Sequence, residues 1–447
     1  MVPSCRRSRW APLLLLAGAA AAADAASPGV FNVLDYGAVG DGVTNDSAAI
    51  RAAIRAVTAA GGGTLLLPAA HTFLCGAINL TDNTVMQLEG TFLASNSSAD
   101  YELVAPLPWY GGGQDAPMSG EPEWSPVIRA VGTPAAPVVN VTLTGGGRID
   151  GNGGAWWACA DRKLAGPPCS GYSRPQLLRP TYVDGFVLRN LTLADSPAWT
   201  IHLAWVTGAH LANFTVTAPG ARGNTDGVDV DCSRDVTIED FVYAGGDDAV
   251  AVKAGEDWLG YTYGRATANV TVRRLAISSG NGYAIGSEMS AGVHGVLFED
   301  VLVNCSAATP CKHATYIKTA RGRGGSVSNV TVRRVTSGEA VGFAHGFTLA
   351  YTGAVPPTNA TATPGIHNVT IEDCAVLPGT RVGFEFEGLD DSEITGVLLR
   401  NVTLAAGVGN TQCAFVQGSC DGVVPSGACP KCFARARAPA RGVAGAS

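Results

Sequence analysis

The chain has 447 residues, 46% of them hydrophobic and 15% charged, with a formal net charge of −7. That much apolar surface excludes a disordered chain, and the acidic balance argues against nucleic acid as a partner. Glycine is abundant, at 57 residues, well above the usual share of roughly 7%, which points to frequent tight turns.

Arg6, Arg7 and Arg9 precede an apolar run from Ala11 to about Ala23, and small residues follow at Ala23-Asp24-Ala25-Ala26. This is the order of a secretory signal peptide, read here as residues 1–26. The run is too short to span a bilayer comfortably. Removing it takes the formal charge from −7 to −9. No later stretch reaches about 18 consecutive apolar residues, so no membrane contact is expected of the mature form. The expected location is extracellular.

The first predicted element is a helix from about Ser47 to Ala60, with Asn45 and Asp46 as candidate caps and Gly61-Gly62-Gly63 as its stop. It precedes a short repeat in which a turn residue is followed by alternating β-branched residues. The repeat reads NVTLTGG from Asn140, NLTLADS from Asn190, NFTVTAP from Asn213 and DVTIEDF from Asp235. It recurs as NVTVRRL from Asn269, NVTVRRV from Asn329 and NVTIEDC from Asn368. The tightest spacings are 23 and 22 residues. Five-residue strands repeated at that interval can bury a face only by stacking on one another, about 4.8 Å apart. A propeller would need a longer unit, about 40–45 residues. The expected architecture is all-β: a single right-handed parallel β-helix over residues 27–404, with the helix as an N-terminal cap. Residues 405–447 read as a Cys-containing segment and a basic low-complexity tail.

Numerous sequons, among them Asn140, Asn190, Asn213, Asn269, Asn329, Asn368 and Asn401, are possible glycan sites in a secreted chain. Eleven cysteines remain after loss of Cys5. Local pairing is expected for Cys159–Cys169 and Cys305–Cys311, and within the set Cys413, Cys420, Cys429 and Cys432. The odd count leaves at least one thiol free, with Cys232 or Cys374 as candidates.

Polar residues concentrate in GNTDGVDVDCSRDVTIEDFVYAGGDDAVAVK, Gly223 to Lys253. Asp226 precedes Asp247 by 21 residues and Asp248 by 22, about one coil, so stacking would bring the three carboxylates together. Mutual repulsion should then raise at least one pKa, as acid/base hydrolysis of a glycosidic bond requires. From spacing alone, a calcium site competes with this reading.

This segment resembles the signature of family 28 of the glycoside hydrolases, the polygalacturonases, which carries NTDG and then DD about one coil later. FNVLDYGAVGDGVTNDSAAIRAAI resembles the opening segment of pectin-active β-helix proteins, lyases included, whereas GGGRIDGNGGAWW is similar to an early rung of the family and IGSEMSAGV to its plant and bacterial branch. The resemblance runs from about Phe31 to about Leu404. It implies an inverting hydrolase of α-1,4-linked galacturonate in the cell wall, without metal or other cofactor, monomeric, and with pectic polysaccharide as its partner. Asp247 would be the general acid, and Asp226 and Asp248 would activate water. Asn224, Asn281, Glu288 and Lys318 are the candidate substrate-binding residues.

Two positions depart from the family pattern. Asn281 stands where a His is usual, and Tyr316-Ile317-Lys318 stands where Arg-Ile-Lys grips the sugar carboxylate. Asn donates a hydrogen bond but carries no titrating proton, and Lys offers a point charge in place of a fork. Both departures favour an altered pectic substrate, such as a rhamnogalacturonan or a chain end, and keep a non-catalytic binding protein in view. A calcium-dependent lyase on the same architecture fits the NTDG/GDD pairing poorly. Arg321 and Arg323 are read as a solvated turn, Tyr351 as core, and His294 and His345 as structural or exposed.

Overall fold

The computed structural model describes residues 29–110, 122–160, 166–353, 362–409 and 412–434. The expected signal peptide and most of the basic tail lie outside these residues. Strands that belong to successive coils pair in parallel, forming one continuous 28-stranded sheet. For example, Ile201–Thr217 pairs with Val228–Asp231 and Arg234–Ala244, and the latter pairs with Thr267–Ile277. Inward positions stack Val, Ile, Leu and Phe at near-zero exposure, including Val236, Ile238, Val270, Val272, Val330 and Val332. Phe214 and Phe241 stack with ring centroids 4.2 Å apart.

The repeat motif has a physical origin at one corner of the coil. Asn140, Gly185, Gly208, Asp235, Asn269, Gly295, Asn329 and Asn368 follow one another in register from coil to coil. All have positive φ, between 54° and 82°. Only Gly, Asn and Asp visit that region readily, so the corner selects them. Asn269 Nδ2 donates to Asp235 at 3.0 Å, and Asn140 Nδ2 to Asn83 at 2.9 Å. A corner Asn, an inward apolar residue and an outward Thr spell a sequon, so the solenoid's own grammar accounts for those at Asn140, Asn269, Asn329 and Asn368. Beside this column, Arg273 and Arg274 bridge to Glu239 and Asp240, and Arg333 and Arg334 to Glu299 and Asp300.

The helix, α1, spans Ser47–Ala59. Ala53, Ile54, Ile50 and Val57 are its buried face against the first coils. Asn45 Oδ1 accepts the Ser47 N–H at 3.0 Å, whereas Asp46 takes the N–H groups of Val39 and Gly40. Asn45 therefore holds the helix start and Asp46 the loop before it. The disulfides are Cys159–Cys169, Cys305–Cys311, Cys413–Cys432 and Cys420–Cys429. Cys232 and Cys374 are free and buried, as is Cys75. Val416–Asp421 stacks on Ile394–Arg400, so coiling continues past the boundary expected at 404. No described helix is long and apolar enough to cross a membrane.

Candidate active site

Four strands on neighbouring coils build the site: β1 (Val228–Asp231), β2 (Asp248–Lys253), β3 (Gly282–Gly286) and β4 (Cys311–Lys318). In β1, Val228 and Val230 enter the core, and alternation turns Asp229 and Asp231 the other way. The glycines of the motif are spacers between coils. A Cβ on Gly227 would lie 2.3 Å from the Ala249 carbonyl oxygen, and one on Gly246 would lie 2.2 Å from that of Arg222. Their absence lets Asp226 and the Asp247–Asp248 pair meet.

One oxygen from each of Asp226, Asp247 and Asp248 lies within 4.8 Å of the others. That is closer than the 6.5–9.5 Å expected between acid and base of an inverting pair. It is a span that one water can bridge with hydrogen bonds of about 2.7 Å. Asp247 is half-buried; its Oδ2 accepts the Asn224 N–H at 2.7 Å, and its Oδ1 accepts Asn281 Nδ2 at 2.8 Å and the Asp248 N–H at 3.0 Å. The Tyr243 hydroxyl donates to the Thr225 carbonyl at 2.9 Å and accepts the Asp247 N–H at 3.2 Å, joining the two corners. Asp226 and Asp248 are buried, and one oxygen of each has no hydrogen-bond partner.

Burial, with Asp247, Asp229 and Asp248 nearby, pushes Asp226 well above the ordinary carboxylate range. Burial also raises Asp248, against the pull of Lys318. Lys318 Nζ lies 2.7 Å from Asp248 Oδ2. Three carboxylates this close could also coordinate a cation; the Lys318 ammonium takes one oxygen of Asp248 and leaves the other without a partner. The group as a whole can hold a proton on one carboxyl and charge on another, as acid/base cleavage of an acetal needs.

These residues line a cavity of about 360 Å³ with Arg174, Trp199, Lys253, Glu256, Glu288 and Arg323 on its walls. Residues 62–422 match the family described as Glycosyl hydrolases family 28. The chain belongs to that family. It is accordingly a hydrolase of O-glycosyl bonds. A probable polygalacturonase of Vitis vinifera is 32% identical over 94% of this chain and 83% of its own length. A probable polygalacturonase of Arabidopsis thaliana is 27% identical over 69% of this chain and 59% of its own length. Among solved structures, an exopolygalacturonase of Thermotoga maritima superposes with a TM-score of 0.74 at 23% identity, covering 89% of this chain and 92% of that one. The polygalacturonase of Erwinia carotovora gives 0.67 at 21%, covering 88% and 97%. These likenesses identify the solenoid as a right-handed parallel β-helix.

Against the family pattern, Asn281 serves the carboxylate Asp247. Lys318 lines the cavity with its ammonium on Asp248. Glu288 is on the cavity wall, 2.8 Å from Lys253 Nζ; Lys253 and Arg323 outweigh burial and hold it below the usual range. Asn224 is exposed on the rim, where its side chain accepts from Arg174 at 3.2 Å.

Two assignments from sequence are corrected. Arg323 is not a solvated turn residue; it is 3% exposed and paired with Glu256 and, at 3.2 Å, with Asp257. Tyr351 is not core; it is half-buried on the cavity wall, T-shaped to Tyr316 at 6.1 Å. Arg321 is exposed as expected, against Asp390 and Asp391. His345 is buried, its Nδ1 3.1 Å from the Thr315 hydroxyl, and His294 is exposed. Lys253 and Glu256 were missed. Lys253 could have been found by carrying the outward alternation of β1 one coil forward, where Asp231 faces it.

Proposed function

We propose that this chain is a secreted hydrolase of α-1,4-linked galacturonate in pectin, acting in the cell wall as a single-chain enzyme on one β-helical domain. The observation that carries this is the Asp226, Asp247, Asp248 cluster, with two buried carboxyls raised in pKa beside a half-buried third. The curated relatives named polygalacturonase supply the substrate class, and the basic and apolar run at Arg6–Ala23 supplies the route of export.

In this reading Asp247 gives its proton to the leaving glycosidic oxygen as the bond to the anomeric carbon breaks. Asp226 and Asp248 together hold one water, whose oxygen bonds the opposite face of that carbon while its proton passes to the carboxylate pair. Asn281 and the Asn224 N–H orient Asp247, and Lys318 keeps Asp248 available as an acceptor. The anomeric configuration inverts. Proton NMR of fresh digests should show the β-anomer first; first appearance of the α-anomer would assign a covalent role to one carboxylate, and no product would remove the hydrolase reading.

A second substrate reading has its own observation. Tyr316 stands where the family's Arg is usual and stacks on His313 at 3.7 Å, so that position offers the sugar no guanidinium, which suits a sugar without a carboxylate, as in rhamnogalacturonan. Parallel digests of the two polymers separate these substrates.

A further inference from the structure

At one end of the cavity the charged side chains are paired with one another. Glu288 is fixed by Lys253 at 2.8 Å, and Lys253 sits over the Trp199 ring, 4.6 Å from its centre. Arg323 is held by Glu256 and Asp257. Asp229 is buried alongside, 3.7 Å from Lys253. Four carboxyl groups thus face two cations, and each cation is already engaged. Burial raises Asp229, Glu256 and Asp257, so Glu288, kept ionised by Lys253 and Arg323, is the carboxylate that a sugar hydroxyl would find there as an acceptor. Glu288 keeps 17% side-chain exposure while lining the cavity, so its carboxylate is within reach of such a hydroxyl.

This end is also backed by protein. The Trp109 carbonyl accepts the Glu256 N–H at 2.9 Å, and its indole N–H donates to Asp231 at 2.6 Å. The opposite side opens to solvent at Asn224, next to the half-buried Asp247. An acid on the open side means that the leaving portion of the chain departs outward. The sugar that keeps its anomeric carbon is then the one enclosed, with Asp226 and Asp248 beneath it.

We infer that the cavity takes the non-reducing end of its polysaccharide and that Glu288 accepts hydrogen bonds from hydroxyls of that terminal sugar, so the enzyme trims chain ends. This rests on the hydrolase reading above. The test compares two galacturonate trimers, one saturated and one bearing the 4,5-unsaturated non-reducing end left by a lyase, which lacks the C4 hydroxyl. Homogalacturonan viscosity is followed in parallel. The inference expects single small sugars from the outset, slow loss of viscosity, and the unsaturated trimer cleaved at least about tenfold more slowly, the cost of an unmet hydrogen bond to a charged group. Glu288→Gln should raise KM for the saturated trimer by about tenfold and narrow the difference between trimers; a merely structural role would leave that ratio unmoved. Rapid viscosity loss with mixed internal fragments and equal cleavage of both trimers would overturn the end-specific reading while leaving hydrolysis intact. No cleavage of any pectic substrate would overturn both.

Discussion

Replacing Lys318 by Met separates two roles for this lysine. Its ammonium lies 2.7 Å from Asp248 in a pair whose side chains are 10% and 2% exposed. Removing one member of such a pair strands a buried charge, at a cost of about 3–5 kcal/mol. Asp248 Oδ1 already lacks a partner, and Lys253 is left as the other cation lowering this carboxyl. Lys318 lowers the pKa of Asp248 against burial; without it that pKa rises and the ionised fraction at any given pH falls. The acid limb of the kcat profile should therefore move to higher pH. At mildly acidic pH kcat should drop by roughly 10²–10⁴, the usual weight of a positioned base, and recover in part as pH rises. Initial rates on polygalacturonate from pH 3 to 8 measure this. An unmoved acid limb with only KM raised would refute the argument and restore Lys318 as a grip on the substrate carboxylate.

Asp226→Asn should abolish turnover yet leave the thermal midpoint unchanged or higher by a degree or two, because a neutral amide replaces a buried carboxyl repelled by its neighbours; a marked fall in midpoint by calorimetry would contradict this. Burial takes His345 down to about 3, from the ordinary 6.5 of an imidazole. Its folded pKa lies below the unfolded one, so its share of stability is complete above pH 6.5 and is lost as pH falls toward 3, about 2–3 kcal/mol by pH 4.5. Denaturant titrations of wild type and His345→Phe should converge on acidification. Asn368 sits at φ 54°, so Asn368→Val should cost about 1–2 kcal/mol more than Asn368→Gly; equal stabilities would show that the corner column imposes no such constraint.

The solenoid was legible because its turn chemistry is written in single residues. Corner Asn, Asp and Gly with alternating Val, Ile and Thr repeat visibly, and the interval between Asp226 and Asp248 equals one coil. The cap helix was legible from its glycine stop. Arg323 was not, because Glu256 is 67 residues away in sequence and meets it only through stacking of coils that carry insertions. The Lys318–Asp248 pair, 70 residues apart, was hidden for the same reason. Tyr351 looked like core because aromatic type alone does not distinguish a cavity wall from an interior.

The most direct test of the central claim is product analysis after incubating homogalacturonan with the purified protein and with Asp247→Asn. The account predicts saturated galacturonate products from the wild type and at least about 10²-fold less from the variant. Unsaturated, ultraviolet-absorbing products, or equal release by both proteins, would contradict it.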